Sequence, residues 1–126
     1  MENQEKDPLT ASIIGGAIEV HKALGPGLLE NAYEECLAIE LAERGLAVAR
    51  QVPIPVFYKG RKVEIGYRID MLVNDLVVLE LKAISEILDV HEAQLLTYLR
   101  LANKRVGLLL NFHTAYLRNG IVRKVF

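Results

Sequence analysis

Two charged residues, Glu80 and Lys82, stand at the end of an apolar run that reads L-V-V-L-E-L-K from Leu76. Because side chains alternate along a strand, Glu80 and Lys82 share one face of the predicted strand, and Leu81 lies on the other. An unpaired buried charge costs several kcal/mol, so a buried strand seldom carries two charged groups without a reason. The pair is therefore either an ion pair that ends in solvent or part of a chemical site, and the run alone is compatible with both.

Further polar residues fall where the local pattern turns them inward. Glu30 lies on a predicted helical stripe with Tyr33, Leu37 and Leu41, which is unusual for a carboxylate. Asp70 lies in the strand that precedes Glu80. The next predicted helix carries three polar residues on one face, at i, i+3 and i+7: His91, Gln94 and Tyr98. Other carboxylates near Glu30 are instead expected to form a solvated acidic surface: Glu34, Glu35, Glu40 and Glu43.

If Glu30, Asp70 and Glu80 converge, they carry more negative charge than Lys82 can offset. A divalent cation is the simplest neutraliser, and carboxylate oxygens suit Mg²⁺ or Mn²⁺ rather than Zn²⁺. Such a cation could activate a water and stabilise the charge that develops at a phosphoryl group. A lysine on the same face could position the water or stabilise the pentacovalent state.

Asp70 can join Glu80 only if the strands pair in one particular register. A strict two-residue turn at Asn74-Asp75 would pair Val73 with Leu76 and would place Asp70 on the face opposite Glu80, because a one-residue slip exchanges the faces. A three-residue loop, or a bulge near Asp70, would bring Asp70 opposite Glu80. We therefore predict such a loop or bulge, and a regular two-residue turn would contradict the proposed site.

The elements that must position these residues follow from periodicity and from glycine and proline. Residues 1–7 are predicted to be a disordered lead, and residues 8–126 a single domain that begins with Asp7-Pro8 as a helix cap. The predicted order is α-α-β-β-β-α-β-β: helices over 9–24, 28–44 and 89–102, with Asp89 opening a capping box, and strands over 48–58, 62–73, 76–83 and 105–111, followed by a terminal hairpin over 116–126 about Asn119-Gly120. Pro53 and Pro55 favour an edge position for the first strand.

Composition describes an ordinary globular chain. Its 126 residues are 52% hydrophobic and 25% charged, which suits one domain with a real core. No apolar stretch is long enough for a membrane-spanning helix, and the polar N-terminus has no apolar signal region, so we expect a cytoplasmic protein. The single cysteine, Cys36, is expected to be a small buried apolar residue.

Charge is distributed unevenly although the net charge is only −1. Residues 1–92 hold 9 basic and 16 acidic residues, whereas the last third has no acid. The basic residues there could form a nucleic-acid contact surface, or they could neutralise the acidic part across an internal or dimer contact: Arg100, Lys104, Arg105, Arg118, Arg123 and Lys124.

Several motifs resemble a known family. Asp70, nine residues and then Glu80-Leu81-Lys82 resemble the D-(x)n-(D/E)-x-K signature of the PD-(D/E)XK nuclease superfamily, and Gln94 with Tyr98 resembles the Q-x-x-x-Y motif of its exonuclease-like branch. The segment Gly27–Tyr33 resembles the signature of the GxxExxY family of small prokaryotic proteins. Further segments are similar to that family from Leu9 to the end: V-H-K-A-L-G-P-G-L-L-E-N-A-Y, G-Y-R-I-D-M-L-V, E-L-K-A and G-L-L-L-N-F.

The resemblance implies an α/β fold of the restriction-endonuclease-like kind, with a mixed four- to five-stranded sheet flanked by helices. It implies that Asp70, Glu80 and the Leu81 carbonyl hold Mg²⁺ or Mn²⁺, and that Lys82 is catalytic. Glu30 would act through a water or a second metal, and Gln94 would orient the lysine or bind a phosphate, with Tyr33, Tyr98 and His91 around them. The chain departs from the pattern at Ile69, which replaces the proline of the superfamily's name.

The implied function is a metal-dependent nuclease that acts on DNA or RNA, with a homodimer as one way to cut two strands. The rival is an inactive nuclease-fold module that binds nucleic acid or protein, which small size and weak net charge favour. An oxidoreductase or nucleotide-binding role finds no glycine-rich fingerprint in the chain.

Overall fold

The computed structural model describes residues 7–126, and residues 1–6 of the predicted lead lie outside the described residues. Its elements follow one another in this order: α1 (Pro8–Leu24), α2 (Glu30–Glu43), β1 (Val48–Pro53), β2 (Val56–Tyr58), β3 (Arg61–Val63), β4 (Arg68–Val73), β5 (Val77–Lys82), α3 (Asp89–Ala102), β6 (Val106–Asn111), a short 3₁₀ helix (Leu117–Gly120) and β7 (Ile121–Val125).

A capping aspartate marks the start of the first helix, and a glycine with positive φ marks the end of the second. Asp7 caps α1, since its carboxylate accepts hydrogen bonds from the N–H groups of Leu9 (3.1 Å) and Thr10 (3.4 Å). The cap predicted from Asp7-Pro8 is therefore confirmed. Gly45 follows α2 with φ 80°, a conformation that glycine adopts without strain, and its N–H donates to the Ala42 carbonyl as in a Schellman motif.

Five strands form one mixed sheet in the order β1-β4-β5-β6-β7. Strands β5 and β6 are parallel because α3 connects them as a crossover, and all other neighbours are antiparallel. Apolar residues of one sheet face, such as Leu79 and Leu81, pack against α1 and α2. Those of the other face, such as Val78 and Leu109, pack against α3. The protein thus has an α/β fold with a mixed five-stranded sheet flanked by helices, and no helix within 7–126 is long and apolar enough to cross a membrane.

The turn between β4 and β5 has the register that the site requires. Val73 pairs with Val77 and Met71 with Leu79, so three residues, Asn74, Asp75 and Leu76, make the connection. Asn74 and Asp75 adopt φ 52° and 56°, which asparagine and aspartate tolerate better than most residues. The predicted three-residue loop is confirmed, and the extended register brings Asp70 opposite Glu80.

Two predicted long strands are each divided in the structure. The prediction over 48–58 splits into β1 and β2, and that over 62–73 splits into β3 and β4. Pro53 and Pro55 cannot donate to a sheet ladder, so β1 stops at Pro53 and the chain leaves the sheet. Strand β1 is the edge strand, as predicted, while β2 and β3 form a separate two-stranded hairpin.

The prediction of a terminal hairpin about Asn119-Gly120 is wrong. These residues end the 3₁₀ helix, and β7 pairs with β6 across the longer connection that begins at Phe112. Gly120 is needed for close approach rather than for a tight turn, because a Cβ there would lie 2.3 Å from the Asn111 carbonyl oxygen. The glycine is therefore explained by packing between elements and not by a hairpin turn.

Candidate active site

The candidate site begins where β4 and β5 separate. Beyond the pair Met71–Leu79, side chains replace the backbone ladder. The Asp70 N–H donates to Glu80 Oε2 at 2.9 Å, and the Leu81 N–H donates to Asp70 Oδ2 at 2.8 Å. The two carboxylates are therefore held side by side by each other's strands, in the relation that the predicted register required.

Both carboxylates are costly to ionise together. Burial raises the pKa of Glu80 to about 8, and the neighbouring charge of Asp70 adds to the rise, while the Asp70 N–H and Lys82 act against it. Burial likewise raises the pKa of Asp70, and the hydrogen bond from Leu81 opposes this. Glu80 is only 6% exposed. Two such groups close together invite a cation that would neutralise them.

The oxygen donors fit Mg²⁺ or Mn²⁺. Among the described residues, one oxygen of each carboxylate, Asp70 Oδ1 and Glu80 Oε1, accepts no hydrogen bond from the protein. The Leu81 N–H points toward Asp70, and a strand residue's carbonyl points to the same side as its N–H, so the Leu81 carbonyl faces β4 as well. Within 7–126 no three His, Cys, Asp or Glu side chains gather as a ready metal cluster. Two carboxylates, a carbonyl and waters match the sparse protein coordination that Mg²⁺ accepts.

Lys82 lies on the same face of β5 as Glu80 and is half-buried. It forms no ion pair with another described residue, and its charge lowers the pKa of both carboxylates, so it lies near them. The Phe112 N–H donates to the Lys82 carbonyl at 2.9 Å. Beside it, the Asn111 amide exchanges two hydrogen bonds with the backbone of Ile84. The end of β5 that carries Lys82 is thereby fixed.

Glu30 does not lie on the buried stripe of α2, contrary to the prediction. It is the first residue of the helix and is exposed, although its charge still raises the pKa of Asp70 and Glu80. Its position at a helix start exposes it, because no preceding turn covers it. Glu30 thus stands at the rim of the site rather than inside it.

Glu34 is the buried carboxylate that sequence reasoning missed. It was expected in a solvated surface, but it is 8% exposed and accepts hydrogen bonds from Arg50 Nε and Gln51 Nε2, both at 2.9 Å. Its charge raises the pKa of Asp70. Residues 30, 34, 37 and 41 follow a helical period as well as residues 30, 33, 37 and 41 do. The sequence therefore allowed Glu34 to be predicted on the buried stripe. Gln51 adopts φ 52° in β1, between the residues that pair with Met71 and Ile69 on either side of Asp70. Non-glycine residues with positive φ concentrate at functional sites.

Two tyrosines support the site from different sides. Tyr33 is fully buried, stacks on Phe112 with centroids 4.4 Å apart, and donates from its hydroxyl to the Gly25 carbonyl at 2.6 Å. It thereby holds the loop that leads to Glu30. Burial raises the pKa of Tyr98, and the charge of Glu80 adds to this, which puts Tyr98 near the carboxylates.

On α3, Gln94 is half-buried one turn before Tyr98, on the same face of the helix. His91 instead caps the start of α3, because its Nδ1 accepts a hydrogen bond from the Leu88 N–H at 2.8 Å. Leu88, not Asp89, is the N-cap, so the predicted capping box begins one residue too late, and His91 supplies the returning side chain.

Half of the six basic residues in the C-terminal third form ion pairs with acidic residues of the same molecule. Lys104 pairs with Asp75 at 3.0 Å, Lys124 with Glu92 at 2.7 Å, and Arg123 with Asp7 at 3.7 Å. These three side chains neutralise the acidic part of the same molecule, which was one of the two alternatives. Among the described residues, no ion pair involves the other three cations: Arg100, Arg105 and Arg118.

The chain was also compared with known proteins. A family model of the PD-(D/E)XK nuclease superfamily matches residues 7–124, which include every residue of the candidate site. No curated protein and no solved structure matches the chain.

Proposed function

Because the chain belongs to the PD-(D/E)XK nuclease superfamily, we propose that it is a metal-dependent nuclease that hydrolyses phosphodiester bonds of DNA or RNA. Asp70, Glu80 and the Leu81 carbonyl would hold Mg²⁺ or Mn²⁺, and Lys82 would be the catalytic lysine. The observation that carries the proposal is the reciprocal pairing of Asp70 and Glu80 through each other's strands. Burial raises the pKa of both carboxylates, and perturbed groups of this kind concentrate at functional sites.

Each residue has a role that follows from its position. A divalent cation would supply Lewis acidity for water activation and would offset negative charge at the phosphoryl oxygens. Asp70 and Glu80 would hold the cation as carboxylates, because metal ligands must be deprotonated. The Lys82 ammonium, on the face of Glu80, stabilises the negative charge that develops on the phosphoryl oxygens in the transition state. Gln94, on the helix above that face, orients the lysine or binds a phosphate oxygen.

We further propose membership of the GxxExxY family within the superfamily, and the geometry gives that segment a physical meaning. Gly27 adopts φ 105°, which only glycine takes up without strain. The Tyr33 hydroxyl accepts from the Leu28 N–H at 3.1 Å and donates to the Gly25 carbonyl. Glycine and tyrosine together set the loop that starts α2, and so they place Glu30 at the rim of the site.

The alternative is a nuclease fold that no longer cleaves and acts by binding nucleic acid or protein, with a homodimer as one form. The observation in its favour is that Glu30, the third carboxylate expected inside, is exposed. The protein then contributes two carboxylates only, and one of them is held largely protonated near neutral pH by burial, which raises the pKa of Glu80.

A cleavage assay separates the two functions. The purified protein is incubated with labelled single- and double-stranded DNA and RNA in Mn²⁺, in Mg²⁺ and in excess chelator. We expect cleavage of at least one substrate with metal and none with chelator. Absence of cleavage of every substrate in both metals, by protein that is folded, would support the inactive module.

A further inference from the structure

A short hairpin projects from the sheet between β1 and β4, and we call residues 56–63 the arm. Its strands pair Val56 with Val63, Phe57 with Lys62 and Tyr58 with Arg61. The turn at Lys59-Gly60 has φ 50° and 77°, positive at both positions as in a type I′ turn. No helix or strand outside the arm, among the described residues, packs extensively against it.

The arm exposes two large aromatic side chains that do not pack into the core of the protein. Phe57 is 62% and Tyr58 66% exposed, and they lie on opposite faces of the ribbon. An isolated two-stranded hairpin is only marginally stable in water. Because the two rings stay exposed, they add little buried area that would stabilise it. Each face of the ribbon therefore presents one exposed ring beside a cation of the pairing strand, because Phe57 pairs with Lys62 and Tyr58 with Arg61.

The charge of the arm is opposite to that of its surroundings. It carries Lys59, Arg61 and Lys62 and no acid, although acids outnumber bases in residues 1–92. None of the three pairs with a carboxylate of the described chain. Lys59 Nζ lies 5.5 Å from the centroid of the Tyr58 ring, so ring and cation form one surface. Cations interleaved with rings are complementary to a chain of phosphates and bases.

The root of the arm leads directly to the candidate site. The Ile54 N–H donates to the Tyr67 carbonyl at 2.9 Å, and this bond joins the two segments that flank the arm. The Tyr67 ring lies 6.1 Å, centroid to centroid, from that of Tyr98 on α3. Three residues after Tyr67 the chain reaches Asp70, in β4. A nucleic acid that contacts the base of the arm would therefore lie near the start of β4, the strand that carries Asp70.

We propose that the arm binds single-stranded nucleic acid beside the carboxylate pair, with bases stacked on Phe57 and Tyr58 and phosphates on Lys59, Arg61 and Lys62. The proposal rests on the proposed nuclease function. Stacking on aromatic rings along a basic track is how proteins hold single strands without regard to sequence. We therefore infer a sequence-tolerant contact to an unpaired strand.

The test measures binding without turnover, in excess chelator, by fluorescence anisotropy with a labelled single-stranded oligonucleotide and with its duplex. The double variant Phe57→Ala/Tyr58→Ala is compared with Tyr116→Ala, which removes a 74% exposed tyrosine elsewhere. We expect the arm variant to weaken single-strand binding about tenfold or more, and Tyr116→Ala to change it less than twofold. The variant Lys59→Gln/Lys62→Gln should reduce the slope of log Kd against log salt by about 1.4. Unchanged melting temperatures would show that the variants remain folded.

Several results would overturn the inference. Equal losses for the arm and Tyr116 variants would remove the special role of the arm. Tighter binding of duplex than of single strand would assign a different substrate class. Loss of self-association in the arm variant, with oligonucleotide binding intact, would assign the arm to a second copy of the chain. Because binding is read without metal, wild-type protein that binds but never cleaves would defeat the proposed nuclease function and not the arm.

Discussion

Replacement of Asp70 by asparagine or of Lys82 by methionine is expected to lower metal-dependent cleavage by about 10³-fold. Asparagine keeps an oxygen that can accept from the Leu81 N–H but removes the charge that a cation needs. Methionine keeps the length and much of the packing of Lys82 but removes the ammonium. Both losses fall on the transition state, so kcat should fall more than the affinity for nucleic acid does.

Matched surface variants show whether the effect is local. Asp75→Asn changes an 83% exposed aspartate side chain in the turn before β5, and Lys22→Met changes a 70% exposed lysine side chain. Both should retain cleavage within about threefold, since neither lies among the site residues. Equal cleavage by the wild type, Asp70→Asn and Lys82→Met would identify a contaminating nuclease and would contradict the assigned roles.

Replacement of Glu80 by glutamine is expected to stabilise the metal-free protein at alkaline pH and to leave it nearly unchanged in acid. The pKa of Glu80 is about 8 when folded, against an ordinary value of 4.5, so the folded state holds a proton that the unfolded state releases. The stability that this proton contributes is complete below pH 4.5 and is lost as the pH rises through 8. Glutamine resembles the protonated form and can still accept from the Asp70 N–H, so the variant escapes that loss. The difference at pH 9 should reach several kcal/mol.

Denaturant unfolding at pH 5 and pH 9, both in chelator, measures the difference. Glu86→Gln, at an exposed glutamate outside the site, is the control and should shift neither midpoint. A Glu80→Gln variant that is equally destabilised at both pH values would show that the carboxylate is needed structurally. A variant more stable than the wild type would show that Glu80 is retained at a cost to folding, as expected of a functional group.

The pairing of Asp70 with Glu80 could be predicted from the sequence because the two strands can pair in only a few distinct registers. Strand alternation leaves two registers, and only one of them brings the two carboxylates together. Asn74 and Asp75 are compatible with a two-residue or a three-residue loop. The three-residue loop was predicted because only that register brings the two carboxylates together. The edge position of β1 and the buried β6 likewise followed from proline placement and an apolar run.

What could not be predicted depended on contacts distant in sequence. Glu30 and Glu34 fit one helical stripe equally well, and Arg50 and Gln51, which bury Glu34, belong to another element. The two strands on either side of Lys59-Gly60 were predicted, but the separation of β2 and β3 from the main sheet was not, because their alternation continues that of β1 and β4. Gly120 was interpreted as a turn glycine, whereas its backbone contacts Asn111 from the neighbouring strand. For Glu34 and Gly120, packing between elements decided between local options of similar energy.

The central claim is that Asp70 and Glu80 form a divalent-cation site, and titration of the metal-free protein with Mn²⁺ by calorimetry tests it most directly. We predict a saturable binding event at millimolar concentrations or below, with an affinity that rises between pH 6 and pH 8, because the cation must displace the proton that the raised pKa of Glu80 retains. Binding should be lost in Asp70→Asn and in Glu80→Gln and kept in Asp75→Asn. No saturable heat in the wild type, or equal binding by the wild type and both site variants, would contradict the account.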